Sequence, residues 1–178
     1  MSAFQAVRRR FESCCPLQSL CVMKKFDIEE VRNFIRNTSE STSIYLGADS
    51  KRYCGKDNNW YADYTLAIVV HYDGSRGCKV FGFMETERDF DQRKDRPAYR
   101  LMNEVYKVAQ LYMDLAEAIG DRHAEVHLDI NPDFMHGSSC VVHQAIGYIQ
   151  GTCNVVPRVK PDAFAASYAA DRLVDILA

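Results

Sequence analysis

Two β-branched and aromatic stretches, 60–72 and 78–86, flank Asp73-Gly74-Ser75-Arg76-Gly77, and a long helical pattern follows from Ala98 to Ile119. No other feature restricts the fold as much. Strands joined by five residues containing glycine form an antiparallel hairpin. A helix after the hairpin then carries the chain back over the sheet, so any later strand enters by a crossover. Leu101, Val105, Val108, Tyr112, Leu115 and Ile119 recur at helical spacing, and Gly120 is suited to the helix stop.

The remaining elements fit around this order. Asp27 is an N-cap for a short helix (α1) through about Asn37, with Glu29 and Glu30 in its first turn. Ile44 to Asp49 reads as a strand (β1) and Ser50 to Asn59 as a polar loop. The hairpin supplies β2 and β3, and the long helpful helical run is α2. Ala124 to Ile130 is a strand (β4), and Asn131-Pro132-Asp133 a turn. Ser138 or Ser139 caps a helix (α3) to about Gln150, before Gly151. Thr152 to Val159 is a strand (β5), and Asp162 caps an alanine-rich helix running nearly to the C-terminus. The expected fold is α/β. Its mixed five-stranded sheet has a β1-β2-β3 antiparallel meander, β4 and β5 parallel to a central β1, and helices on both faces. This is the element order of the ribonuclease H-like fold, which hosts several unrelated chemistries.

The 178 residues are 47% apolar and 26% charged, with net charge −2. One domain over 23–178 is expected, with a core that needs no metal or disulfide staple. No stretch approaches the ~20 apolar residues of a membrane span, so no membrane partner is expected. The charge balance argues against a generic basic nucleic-acid binder, so any such contact is local. The seven cysteines form no C-x-x-C pair and read as free thiols of a cytoplasmic protein. Met23-Lys24-Lys25-Phe26-Asp27 resembles a natural start. Residues 1–22 therefore read either as a disordered or upstream-start extension or as an ordinary N-terminal helix.

Several catalytic signatures fail. Gly47 and Gly55-Lys56 lack P-loop spacing, and no G-x-S-x-G occurs. His123, Glu125 and His127 imitate an H-x-E deaminase signature without its P-C-x-x-C, and their spacing puts them on one strand face.

Carboxylates at element ends remain. Asp49 ends β1 and Asp129 lies near the end of β4, so parallel neighbours would bring both to the carboxyl edge where ligands collect. Two carboxylates converging there call for a cation such as Mg²⁺ or Mn²⁺; the alternative is that each Asp opens a turn. Glu104 of α2 sits on a polar face with Arg100 and Lys107, and by periodicity alone reads as a solvated ion-pair partner. In the last helix, Asp171 shares a face with Phe164 and Ser167, whereas Asp175 overshoots by another turn and Asp162 acts as the cap. An Asp171 aimed inward calls for a cation or an ion pair.

Three strings resemble one family: Gly47-Ala48-Asp49-Ser50-Lys51, His127-Leu128-Asp129-Ile130-Asn131, and Lys160-Pro161-Asp162-Ala163-Phe164-Ala165-Ala166-Ser167 with Ala170-Asp171-Arg172. They are similar to the YkuK-type proteins of bacteria and phages, a family described as ribonuclease H-like. The resemblance covers roughly residues 43–175, and the last string is its most specific part. It implies a nuclease using Asp49, Glu104, Asp129 and Asp171 to hold two Mg²⁺ or Mn²⁺ ions. One ion would activate the attacking water and the other would stabilise the leaving 3′-oxygen, giving a 5′-phosphate and a 3′-hydroxyl. Lys51, Arg52 and Lys56 after β1, with Arg158 and Lys160 at the end of β5, would contact nucleic-acid phosphates or form a solvated rim. Ser50, Asn131 and Ser167 complete the expected substrate contacts. Tyr53 and Trp60 would stack on bases, although Trp60 also suits strand packing. The rival is a ribonuclease H-like module that binds nucleic acid or protein without cutting. An actin-like phosphotransferase would need two such domains.

Overall fold

The computed structural model describes residues 27–74, 77–91, 97–170 and 173. The expected extension over 1–22 lies outside that set, as do Asp171 and Asp175. Among the described residues the sheet has four strands in the order β3-β2-β1-β4. They are β1 (Ser43–Cys54), β2 (Trp60–His71), β3 (Cys78–Arg88) and β4 (Ala124–Leu128). β1 pairs antiparallel with β2 from Ser43↔His71 to Cys54↔Trp60 without a break, and β2 pairs antiparallel with β3. β4 runs parallel to β1, from Ile44↔Ala124 to Ala48↔Leu128. The meander and the parallel β4 are as expected from the order of elements.

β1 continues five residues beyond its expected end. Polar Ser50 to Arg52 reads as a loop in isolation, but side chains alternate along a strand and each finds a place. Ser50 turns inward to Glu104 and Arg52 reaches Asp89, while Lys51 faces out. A tight connection then closes the β1–β2 ribbon. Gly55 N–H donates to Asn59 O at 2.8 Å, and Asp57 accepts from the Asn59 backbone at 3.2 Å and side chain at 2.6 Å.

The expected fifth strand shrinks to one parallel bridge, His127↔Arg158. Leu128 N–H donates to Arg158 O and Arg158 N–H to Val126 O, each at 2.8 Å. The helix before it takes Thr152 and Cys153, and Pro157 and Pro161 lack the N–H donors a ladder requires. Lys160 N–H bonds Ile130 O at 3.0 Å, a register that leaves the parallel ladder.

α1 (Ile28–Arg36) starts as expected, with Asp27 accepting from Glu29 N–H at 2.9 Å. α2 (Ala98–Ile119) is capped from a distance: Asp91 accepts from Tyr99 and Arg100 N–H at 2.9 and 2.8 Å. Gly120 ends it with φ 56°, where a side chain would be strained. α3 (Val142–Cys153) follows a short 3₁₀ turn at Gly137–Val141 and includes Gly151, so it ends later than expected. Ser138 does not cap it, because its hydroxyl accepts from Asn131 N–H at 3.0 Å. Asn154, at φ 56°, supplies the left-handed stop.

The alanine-rich segment differs from an ordinary helix. Ala165–Ala170 forms a π-helical turn, and among the described residues the Asp162 side chain makes no capping bond. Its small side chains let it lie directly on β1. A Cβ on Gly47 would sit 2.4 Å from Ala166 N, so only glycine permits that approach.

Strand alternation sorts the core into two sides. Ile44, Leu46 and Ala48 face α1 and α2, packing with Val31, Ile35 and Val105. Burying each large side chain contributes ~1.5–3 kcal/mol. Ala67 and Val69 face the π-helical turn with Ala165, Ala169 and Leu173. Cys54, Cys140 and Cys153 are free thiols as expected. Cys78 departs from that expectation, being disulfide-bonded to a partner outside the described residues. Among the described residues, no helix is long and apolar enough to cross a membrane.

Candidate functional site

Ala48↔Leu128 is the last β1–β4 pair, so the positions that follow it are Asp49 and Asp129. Asp49 does not end β1 as expected; it lies inside the strand, at the level where β4 stops. Among the described residues, β1 has no strand beside it on the β4 side from that level outward. This leaves a notch at the carboxyl edge of the parallel pair, the place where ligands of such sheets bind.

Alternation places Asp49 on the side of Gly47 and the π-helical turn, and Ser50 on the side of α2. Glu104 comes from α2. Asp49 and Glu104 thus approach the notch from opposite sides of the sheet, and the charges of Asp49 and Asp129 both reach Glu104 there.

Glu104 is not the solvated residue its helical spacing suggests. It is 3% exposed, and Lys107 pairs with Glu85 and Glu87 instead. Ser50 donates to Glu104 Oε1, and Arg100 stands 3.7 Å from the same oxygen. Arg100 also donates to Ser50 O at 2.7 Å and to Ser50 Oγ at 2.5 Å. These donors do not compensate. Burial, then the charge of Asp49, pushes the Glu104 carboxyl well above the usual range, and Asp129 adds to the rise. Ser50 and Arg100 oppose it and lose. The two neighbouring acids thus make the buried Glu104 carboxyl harder to ionise.

Asp129 has a cation at hand. Lys160 Nζ donates to its Oδ2 at 2.9 Å, and Ser167 Oγ donates to its Oδ1 at 2.6 Å. The π-helical turn that carries Ser167 is fixed by His127, whose Nδ1 accepts from Ala165 N–H at 3.0 Å. His127 Nε2 then donates to Glu125 at 3.1 Å. Burial lowers the His127 pKa despite Glu125, so the ring is neutral. The His127 hydrogen bond holds Glu125 at about 2. His123, Glu125 and His127 thus do share a face, as a support for the site.

The expected substrate contacts divide. Ser50 is buried on Glu104, and Lys160 and Ser167 are engaged with Asp129. Arg52 is structural: its Nε lies 2.6 Å from Asp89, it donates to Asp91 O at 2.7 Å, and it stacks on Trp60 at 4.3 Å. Asn131 shapes its own turn, accepting from Asp133 N–H at 3.0 Å. Arg158 lies 3.5 Å from Glu125. Lys51 and Lys56 are exposed without an ion pair among the described residues. Arg100, which forks between Ser50 and Glu104, reads from sequence only as a surface partner. Its spacing of four from Glu104 is the signal that could have found it.

The donor set suits a hard divalent cation, being carboxylates alone with one already strained by the others. Thr65 Oγ1, on the β2 residue paired with Asp49, is buried without a hydrogen-bond partner among the described residues. Among the described residues no three acidic, His or Cys side chains close round a single point. The fourth expected ligand, Asp171, lies outside the described residues.

A family model described as Ribonuclease H-like matches residues 27–175. Comparison with curated proteins and with solved structures found no match.

Proposed function

The chain belongs to the ribonuclease H-like family, and from that premise we propose that it is a divalent-metal-dependent nuclease hydrolysing phosphodiester bonds, of the YkuK type. The observation that carries the reading is Glu104: a buried carboxyl raised by burial and by Asp49 and Asp129 at the open end of a parallel strand pair. Such a group is unfavourable to keep unless a cation or a proton meets it. Asp49, Glu104 and Asp129, with Asp171, would hold Mg²⁺ or Mn²⁺. Bound there, the metal supplies the positive charge that makes water nucleophilic and stabilises a leaving oxygen.

The protein's own groups have separate tasks. Arg100 and Ser50 keep the Glu104 carboxylate directed at the notch. Ser167 and Lys160 orient Asp129, and His127 anchors the turn that carries Ser167. Lys160 is also a cation that can hand Asp129 over when substrate phosphate offers it another partner.

One observation favours a second reading, binding without hydrolysis. Lys160 and Ser167 already engage both oxygens of Asp129, which neutralises it without metal. Hydrolysis separates the two. Labelled single-stranded, duplex, hybrid and branched nucleic acids are incubated with Mg²⁺, Mn²⁺ or EDTA. The nuclease reading predicts metal-dependent products ending in a 5′-phosphate and a 3′-hydroxyl. Intact substrates throughout, with measurable binding, would establish the second reading instead.

A further inference from the structure

The β1–β2–β3 ribbon continues past the notch, and its two faces are unlike. On the α2 side it is filled by Arg52, Asp89 and the Arg100–Ser50–Glu104 group. On the side of Asp49 the same alternation places Lys51 and Tyr53 on β1, Tyr61 on β2 and Arg88 on β3. The pairing is unbroken from Asp49 to Cys54, so no bulge re-aims these side chains.

Tyr53 and Tyr61 are cross-strand partners whose rings stack, 5.9 Å between centroids and 25° between planes. Tyr61 is fixed from beneath. Its hydroxyl donates to Asp57 at 2.8 Å, and a Cβ on Gly55 would come within 2.7 Å of its ring. Tyr53 lies on this fixed ring and is 38% exposed. Among the described residues Lys51 has no ion pair, and the partners of Arg88 are neutral, the Asn59 side chain at 2.7 Å and the Phe90 ring. Two acids share this surface: Asp57 accepts from Asn59 and Tyr61, and Asp63, the cross-strand partner of Lys51, accepts from Thr86 at 2.6 Å.

We infer that this outer face is a platform for single-stranded nucleic acid, with a base stacking on Tyr53 and phosphates on Lys51 and Arg88. The inference rests on the reading that the fold acts on nucleic acid, and adds the substrate class. At ~3.3 Å per residue, Lys51 lies ~7 Å and Tyr53 ~13 Å along β1 from Asp49, within reach of nucleotides beside a scissile phosphate. An exposed aromatic face flanked by cations is how sheets hold unpaired bases, whereas the bases of a duplex are stacked on one another and unavailable.

The test is equilibrium binding of the full chain in EDTA, so that no hydrolysis contributes. The probes are labelled oligothymidylate, labelled oligouridylate and a labelled duplex. The single strands are expected to bind more tightly than the duplex, and the two arms show whether the strand is DNA or RNA. Tyr53→Ala is expected to weaken single-strand binding about tenfold, and Tyr53→Phe, which keeps the ring, to restore it. Lys51→Ala should reduce the slope of log affinity against log salt by ~0.7. With a bromouridine-substituted strand, photocrosslinks are expected on the tryptic peptide of Tyr53 to Lys56. Unchanged affinity in Tyr53→Ala, tighter duplex binding, crosslinks confined to other peptides, or no binding by the wild type would each overturn the inference. Tyr53-dependent binding without cleavage in any metal would refute the nuclease reading and leave the platform standing.

Discussion

Replacing Glu104 with Gln should make the metal-free protein more stable. Gln keeps an acceptor for Ser50 and removes the charge that burial, Asp49 and Asp129 disfavour. The folded carboxyl has its pKa raised above the ordinary 4.5, so near neutrality the folded state holds more protons than the unfolded chain. Stability from this group is full below the unfolded pKa and is lost as pH rises through the folded one. Each pH unit in which only the folded state keeps the proton costs ~1.4 kcal/mol. Arg100 loses an anionic partner at 3.7 Å, which offsets part of the gain. We expect a net gain of about 1–2 kcal/mol at about pH 8 in EDTA, and none at about pH 4. For a chain of this length that is a rise in Tm of ~2–8 °C. Urea unfolding of both proteins across that range, with and without Mn²⁺, measures it. Saturating Mn²⁺ should shrink the difference by binding the folded wild type. A variant destabilised equally at every pH would refute the reasoning, because Glu104 would then be a satisfied carboxylate.

Gly47→Ala should cost ~1–3 kcal/mol, because the added Cβ meets the Ala166 backbone rather than a side chain that can turn away; a variant with wild-type urea midpoint contradicts this. His127 titrates in the opposite sense to Glu104. Its folded pKa lies below 6.5, so its contribution is present above that pH and is lost as pH falls, by up to ~1.4 kcal/mol per unit. Measured in the Glu104→Gln background, stability should drop between about pH 7 and pH 5, and a flat profile would count against a buried neutral ring. Lys160→Met removes the cation competing for Asp129, so calorimetric Mn²⁺ affinity should rise several-fold; an unchanged or weaker affinity would place the metal away from Asp129.

The strands that fix the frame were legible because their signals are local. The turn at 73–77, the apolar spacing of α2 and Gly120 each act within a few residues, and they lead to the hairpin, the helix and its stop. Asp49 and Asp129 follow from the parallel pairing that this order requires. What was hidden depends on distant partners. Ser50 and Arg52 look like loop residues until α2 and Asp89 supply their contacts, and Glu104 looks solvated until the notch buries it. Cys78 needs a partner that spacing could not identify. The fifth strand carried a legible warning, since Pro157 and Pro161 bracket the one residue that bridges to β4. The π-helical turn packs its backbone against Gly47, a long-range contact that no helical periodicity contains.

The central claim is that the carboxylates at the notch serve metal-dependent hydrolysis. It is tested most directly by the single-turnover cleavage rate of a labelled nucleic acid, comparing the wild type with Asp129→Asn purified alongside it. Cleavage is expected with Mg²⁺ or Mn²⁺ and none in EDTA, with at least ~100-fold slower cleavage by Asp129→Asn, the loss expected when a group stabilising the transition state is removed. Equal rates for the two proteins, or cleavage that persists in EDTA, would contradict it.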